Sequence, residues 1–302
     1  MKIIDRIIPD SLSKHVRRWR YDLRYKRKFK ELHGYELNEE NPSTFAEKIF
    51  YRKKFGNFEE MAKFADKYTV RKYVEKQIGA EYLIPILGMY EQLKIADFDD
   101  LPNKFVVKTT HGSGKNHIEI VRDKASHDLD KLIEKMNYAL TLDFGFVRRE
   151  LAYTKIEKRI MIEAFLPSES DTPDDYKCHC FTNNEIFIGV DQGRFTEHKR
   201  SIYDENWNMT DIALNTFPPV EGCQKPVNFE LMKQLVRKLA ENFDYVRVDF
   251  YNINGKIFFG ELTLTPANGM ESLQAIKQGD NWGEKWGKLW VLDKENKQLY
   301  RN

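Results

Sequence analysis

The segment "VRVDFYNINGKIFFGELTLTP", Val246 to Pro266, constrains the fold of this chain more than any other. Val246, Val248 and Phe250 alternate with Arg247, Asp249 and Tyr251, and after Asn254-Gly255 the residues Phe258, Leu262 and Leu264 alternate with Glu261 and Thr263. Period-two alternation on both sides of an Asn-Gly pair predicts a β-hairpin. A slip of one residue would turn every side chain to the other face, so the register decides the chemistry. A regular two-residue turn sets Val248 opposite Glu261 and mixes a carboxylate into the apolar face. An odd, three-residue loop centred on Gly255 instead pairs Val248 with Leu262, Asp249 with Glu261 and Arg247 with Thr263, and is the predicted form. One face is then core and the other carries Arg247, Asp249 and Glu261. Two carboxylates placed opposite each other repel unless something positive sits between them. Oxygen ligands on adjacent strands suit Mg²⁺, and a plain salt-bridge cluster around Arg247 is the other reading.

A second stretch, "KTTHGSGKN" from Lys108 to Asn116, has the composition of a phosphate loop. Glycine lets the backbone turn sharply and bring N–H groups against phosphate oxygens. A Walker A loop requires Gly-Lys-Ser/Thr leading into a helix, whereas Lys115 is followed by Asn116 and then by the strand-like "HIEIV". A protein-kinase loop requires a third glycine where His117 stands, together with a His-Arg-Asp motif that is absent. "DFG" at Asp143–Gly145 is therefore coincidental. Strand, glycine loop and strand remain, with Lys108 as a fixed cation on the entering strand. A glycine-rich surface hairpin is the bland alternative.

At 302 residues, 41% apolar and 32% charged, the chain has material for a substantial core. No apolar run reaches eighteen residues, and "MKIIDRIIPDSL" lacks a signal-peptide core, so a cytoplasmic protein without a membrane span is expected. Cys178, Cys180 and Cys223 are too few for a disulfide framework. A net charge of +2 argues against wholesale nucleic-acid binding. Residues 1–30 nonetheless carry eleven Lys/Arg against three Asp. Leu12, Val16, Trp19 and Leu23 fall on one helical face, so a basic amphipathic helix is expected over 11–30. It either packs on the domain behind it or lies on an anionic membrane.

Elsewhere Thr44-x-x-Glu47 has the form of a capping box, and Asp66 caps a second helix at "DKYTVRKYV". "LIPILGMYE" reads as strand and "DFDDL" as a short helix. "KFVVKTT", "HIEIV", "KRIMIEAFL", "DYKCHCF" and "IFIGV" read as strands. Met232, Leu235, Val236, Leu239 and Phe243 form the stripe of a long amphipathic helix. The aromatic "DNWGEKWGKLW" has no clear assignment. The fold class is α+β with antiparallel sheets. On "DYKCHCF", Lys177 and His179 share a face that can point into a cleft, Lys177 as a substrate or phosphate contact. Cys178 and Cys180 point the other way, as a core pair. Arg194 and Arg200 read equally as anion ligands or solvated surface groups.

Taken in order, "FVVKTTHGSG", "IMIEAFL" and "VRVDFYNINGKIFFGELTLTP" resemble the ATP-grasp superfamily. With "NPSTFAEKIFYRK", "ADKYTVRKYV", "DYKCHCF" and "YDENW", residues 40–275 are similar to its TupA-like (teichuronopeptide biosynthesis) branch from bacterial surface-polysaccharide clusters. The resemblance implies two α+β subdomains whose antiparallel sheets clasp ATP. It suggests a basic helical segment over 1–40 and an ATP-grasp domain over 41–302. That domain divides into a helical part (41–100), a glycine-loop part (101–166) and a metal-binding part (167–302). It further implies that Lys67 and Lys108 hold the phosphates under Gly112, Ser113 and Gly114. Glu163 would lie at the adenine edge, Phe165 and Leu166 would form the hinge, and Asp175 would take the ribose hydroxyls. Arg247 would stabilise the transferring phosphoryl, and Asp249, Glu261 and Thr263 would hold Mg²⁺. Thr263 departs from the family, which places Asn there; Asn268 in "TPANG" is a possible substitute.

The activity implied is an ATP-dependent carboxylate–amine ligase working through an acylphosphate, with ATP cleaved to ADP and phosphate. It would attach an amino acid or amine to a cell-surface polysaccharide precursor, with possible peripheral membrane contact through residues 11–30. The rivals are a glycosyltransferase, with "DFDD" and "DTPDD" as diphosphate–metal sites, a sugar kinase built from the same parts, and a binding module without catalysis.

Overall fold

The computed structural model describes residues 23–167, 173–193, 197–219, 222–276 and 281–301. The first part of the expected basic helix and Arg194 lie outside the described residues. Helix α1 covers residues 23–33. Its packing residue is Phe29, at 0% exposure, while Leu23, expected on the apolar stripe, is 50% exposed. Phe29 meets the rings of Tyr35 and Phe50, so this part of the segment packs on the domain.

Three helices follow: α2 (Phe45–Phe55), α3 (Phe58–Ala65) and α4 (Val70–Ile78). The capping box at α2 forms as expected. Thr44 Oγ1 accepts from Glu47 N, and the Glu47 carboxylate accepts from Thr44 N at 3.0 Å. Asp66 caps the turn before α4 rather than the helix itself, accepting from Tyr68 N at 2.9 Å and Thr69 Oγ1 at 2.6 Å.

A four-stranded antiparallel sheet has the order β1-β4-β2-β3, from β1 (Ile86–Tyr90), β2 (Phe105–Thr109), β3 (Ile118–Val121) and β4 (Ile160–Ala164). Between β3 and β4 lie α5 (Leu129–Thr141) and α6 (Phe144–Arg148). Leu132 and Met136 of α5 join Phe105, Val107, Ile160 and Ile162 in one apolar cluster. Strands β2 and β3 pair with Lys108 opposite Ile118, so the glycine loop is a hairpin tip.

The second sheet, of order β10-β9-β5-β6-β7, is also antiparallel. It comprises β5 (Asp175–Phe181), β6 (Ile186–Gln192), β7 (Lys199–Tyr203), β9 (Tyr245–Ile253) and β10 (Lys256–Thr263). A short pair joins β8 (Ile212–Leu214) to β11 (Leu273–Ala275). Helix α7 (Phe229–Ala240) lays Met232, Leu235, Val236 and Leu239 on a sheet face made of Cys178, Cys180, Val246, Val248 and Phe250. Each such side chain contributes about 1.5–3 kcal/mol on burial. All three cysteines are free and buried, and Cys178 and Cys180 are core, as expected. The aromatic C-terminal stretch is α8 (Trp282–Leu289), which buries Trp286 with Trp290 against Phe45, Phe181 and Tyr245.

The hairpin corrects one expectation and keeps its consequence. Asp249 pairs with Glu261, Val248 with Leu262 and Arg247 with Thr263, as read from the sequence. The turn, however, has two residues, because Ile253 pairs with Lys256 around Asn254 (φ 50) and Gly255 (φ 80). The extra residue enters as a bulge between Phe259 and Glu261. Gly260 occupies it, where a Cβ would stand 3.1 Å from Asp249 O. The sequence logic of the odd loop was sound, but the odd residue sits in the strand.

Candidate active site

Between the two sheets lies a cleft of about 380 Å³, within the range of small-molecule sites. The four-stranded sheet supplies Lys108 and Glu163, with Val106, Ile118 and Ile120 as apolar wall. The five-stranded sheet supplies Asp175, Lys177, Asp249 and Glu261. Lys67 enters from the turn between α3 and α4, Phe165 and Leu166 from the chain after β4, and Gly112, Ser113 and Gly114 from the hairpin tip. All but two of the expected site residues thus converge on one cavity. Arg247 and Thr263 do not line it and stand two residue pairs further along the hairpin, on the same face.

At the hairpin wall the charges are tightly matched. Arg247 donates to both carboxylate oxygens of Asp249, Nε to Oδ1 at 2.6 Å and Nη2 to Oδ2 at 2.7 Å. Its Nη2 also reaches Glu261 Oε1 at 2.8 Å and Thr263 Oγ1 at 3.0 Å. Lys177, directly opposite Asp249 on β5, donates to Asp249 Oδ2 at 2.8 Å and Asp175 Oδ2 at 2.6 Å. Burial alone would raise the Asp249 carboxyl, but Arg247 and Lys177 outweigh it and hold the group well below the usual carboxylate range. Burial likewise works against the Lys177 charge, which Asp175 and Asp249 restore, lifting it above its ordinary value.

On the facing wall Lys108 Nζ meets Glu163 Oε2 at 2.6 Å, and Arg71 stands 3.7 Å from the other oxygen. Lys67 donates to the carbonyl of Gly112, which ties the glycine loop to the α3–α4 turn. Burial lowers the Lys67 ammonium. Beneath the loop Thr109 Oγ1 and His117 Nδ1 are 2.8 Å apart, and a Cβ on Gly112 would collide with the His117 ring. Gly112→Ala must therefore displace the loop. Weaker nucleotide binding with little change in the midpoint of the ligand-free protein is expected, read by thermal shift.

His111 and His117 are packed together under this loop, with ring centroids 5.3 Å apart. Burial, with nearby positive groups, holds both at about 4. Their unfolded value is near 6.5, so the unfolded chain binds more protons between those limits. The stabilisation of the neutral rings is complete above about pH 6.5 and is lost as the pH falls towards 4. The melting midpoint should fall across that window, whose upper part lies above the range where ordinary carboxylates titrate, and fall less steeply in His117→Gln. A flat wild-type profile from pH 6.5 to 5 would contradict this.

The sequence profile for TupA-like ATPgrasp proteins matches residues 47–285. The chain belongs to the TupA-like ATP-grasp family. Similar solved structures include an ADP complex of N5-carboxyaminoimidazole ribonucleotide synthetase, at 15% identity over 69% of this chain and 47% of that one. D-Alanine–D-alanine ligase from Bacillus anthracis with ATP is 16% identical over 70% and 57%, and L-amino acid ligase from Bacillus licheniformis 14% over 70% and 45%. Each has a TM-score of 0.43, and the chain spans about half the length of these structures. Comparison with curated proteins gave no match.

Within this ATP-grasp chain, no group of three or more His, Cys, Asp or Glu among the described residues is arranged to hold a metal unaided. Asp249 and Glu261 offer two carboxylates on adjacent strands, a donor set that fits Mg²⁺ completed by phosphate oxygens and water. Thr263 Oγ1 accepts from Arg247 and donates to Glu261 Oε1 at 2.9 Å. Asn268 donates its side-chain N–H to Arg148 O at 2.7 Å.

Two further readings from the sequence are corrected. His179 shares the Lys177 face but does not line the cleft, because Tyr245 Oη lies 2.8 Å from its Nδ1 and the Trp286 ring covers it. Arg200 is not a solvated group. It is 8% exposed, forks onto both oxygens of Asp191 and meets Glu271 at 3.3 Å. Sequence reasoning missed Arg71 and Asp191 altogether. Asp191 stands opposite Asp175 on β6, and only knowledge of the strand order would have brought it beside Lys177.

Proposed function

We propose that this chain is an ATP-dependent carboxylate–amine ligase that acts through an acylphosphate on a bacterial surface-polysaccharide precursor. The observation that carries the reading is the opposition across one cleft of Lys67, Lys108 and the glycine loop to Asp249 and Glu261, which Arg247 holds from behind. Adenine would lie by Glu163 with the Phe165–Leu166 backbone as hinge, and the ribose hydroxyls by Asp175. Lys67 and Lys108 would meet the phosphates, Lys108 leaving Glu163 in part to do so. Gly112, Ser113 and Gly114 would cover them. Mg²⁺, held by Asp249 and Glu261 beside Thr263, would neutralise charge on the phosphate oxygens when bound. Arg247 would orient Asp249 and Glu261 and stabilise charge at the transferring group, and Lys177 would fix the other side of Asp249.

In that chemistry a carboxylate oxygen of the acceptor attacks the γ-phosphorus and ADP leaves. An amine nitrogen then attacks the acyl carbon, phosphate departs with the C–O bond pair, and the amine loses a proton. The buried cations permit an anionic acceptor to approach an anionic donor. Among the described residues no helix is long and apolar enough to cross a membrane. A cytoplasmic placement is proposed, with the exposed basic side chains of α1 available to an anionic surface.

Hydroxylamine separates this function from its rivals. With ATP, Mg²⁺ and candidate uronic-acid or peptide carboxylates, a ligase yields a hydroxamate and stoichiometric phosphate. A sugar kinase consumes ATP and yields a stable phosphate ester without hydroxamate, which would refute the ligase.

A further inference from the structure

The hairpin that carries Asp249 and Glu261 runs directly into a strained loop. After Thr263 come two buried residues, Leu264 and Thr265, and then Pro266–Gly269. Ala267 (φ 47), Asn268 (φ 61) and Gly269 (φ 71) are left-handed in succession. Glycine takes this form freely, but at Ala267 the Cβ crowds the carbonyl, at a cost of roughly 1–2 kcal/mol. Such a conformation persists only where its surroundings hold it.

Much of that hold comes from α1. Tyr25 Oη donates to Asn268 O at 2.8 Å, and His33 Nε2 stands 3.0 Å from Gly269 O. A carbonyl only accepts, so His33 Nε2 carries the proton. From α2, Lys53 Nζ touches Tyr25 Oη at 2.8 Å and Asn268 O at 3.4 Å. Gly269 is pressed on α2 so closely that a Cβ would meet the Phe50 ring at 2.8 Å. Helix α1 is itself anchored by the buried Phe29. At the near end of the loop, Thr263 holds Glu261 and Arg247.

We propose that Tyr25 and His33 are positioning residues for the Mg²⁺–nucleotide site: α1 clamps residues 266–269 in their left-handed form and so fixes the end of β10 that carries Glu261 and Thr263. The inference rests on the ligase reading above. Helix α1 then supports the catalytic site, and its disturbance is felt at the metal carboxylates.

Tyr25→Phe in the full chain removes one hydroxyl and keeps the ring on Phe50. The readout is the Mg²⁺ concentration giving half of the thermal stabilisation by ADP. It should rise by up to about fivefold, the worth of one hydrogen bond, beyond any fall in the ligand-free midpoint. Tyr35→Phe is the control, since Tyr35 Oη donates to Thr44 Oγ1 at 2.7 Å and touches no part of the loop. It should leave the Mg²⁺ midpoint unchanged. His33→Gln, which keeps a donor, should stay near wild type, and His33→Leu should follow Tyr25→Phe. An unchanged midpoint in Tyr25→Phe, or an equal shift in Tyr35→Phe, overturns the proposal. A wild-type chain indifferent to nucleotide and Mg²⁺ overturns the ligase reading and this inference with it.

Discussion

Asp249→Asn is expected to lower ATP turnover by about 10²–10³-fold or more, the range for removal of one preorganised electrostatic group. It should also destabilise the protein before any ligand is added. Asp249 is 3% exposed and accepts from Arg247 twice and Lys177 once. Asparagine fills the same space but presents an N–H₂ where an oxygen accepted, so Arg247 and Lys177 lose the charge between them. Breaking one partner out of a buried ion pair costs about 3–5 kcal/mol. The sign with pH can be checked independently. Because the folded Asp249 carboxyl lies below its unfolded value near 3.9, its stabilisation is present above that value and is lost as pH falls below it. Denaturant midpoints of wild type and variant should differ most at pH 7 and begin to converge only below about pH 4. A variant as stable as wild type at pH 7 would remove the charge network from the account.

The largest purely structural effect is expected at Arg52. It has 0% exposure and ties three parts of the chain together from α2. Its guanidinium pairs with Asp244, donates to Tyr245 O at 2.8 Å and Leu264 O at 3.0 Å, and lies 4.3 Å over the Trp290 ring. Tyr300 Oη adds a bond to Asp244 Oδ2 at 2.9 Å. Burial lowers the Arg52 guanidinium, and Asp244 and Tyr300 more than offset it. Arg52→Met keeps the stem and leaves Asp244 buried without its cation, so a loss of about 3–5 kcal/mol is expected by denaturant unfolding. The double variant Arg52→Met/Asp244→Asn should lose less than the two single variants summed, because the second change removes the stranded charge. Strict additivity would show that the pair is not coupled.

Arg52 also shows where sequence reasoning stopped. Its partner Asp244 lies 192 residues away, and no local pattern links them. The same holds for Arg71 beside Glu163, and for Thr265 with Glu150. What was legible was set by short-range rules. The capping box at Thr44 and Glu47, the apolar stripe of α7 and the core placement of Cys178 and Cys180 follow from local periodicity and hydrogen bonding. The pairing of Asp249 with Glu261 was legible for a stronger reason, because a slip of one residue buries a carboxylate in the apolar face. The bulge at Gly260 was missed because the same register can be reached by a longer turn or by an extra residue in the strand. His179 was misplaced because alternation fixes the face of a strand but not what covers it. Helix α8 escaped assignment because its Trp286 and Trp290 meet residues such as Phe45 and Tyr245, which only tertiary packing brings near.

The central claim is that this cleft binds ATP through Lys108 and the hairpin carboxylates. It is tested most directly by thermal shift with ATP and Mg²⁺, ADP and Mg²⁺, and a panel of UDP-sugars, on wild type and Lys108→Ala. Ligand at about 100 times its dissociation constant adds roughly 2.7 kcal/mol, a shift of several degrees for a chain of this size. Stabilisation by the adenine nucleotides is expected to require Mg²⁺ for its full extent and to be lost in Lys108→Ala. Stabilisation by UDP-sugars alone, or an ATP effect untouched by Lys108→Ala, would contradict it.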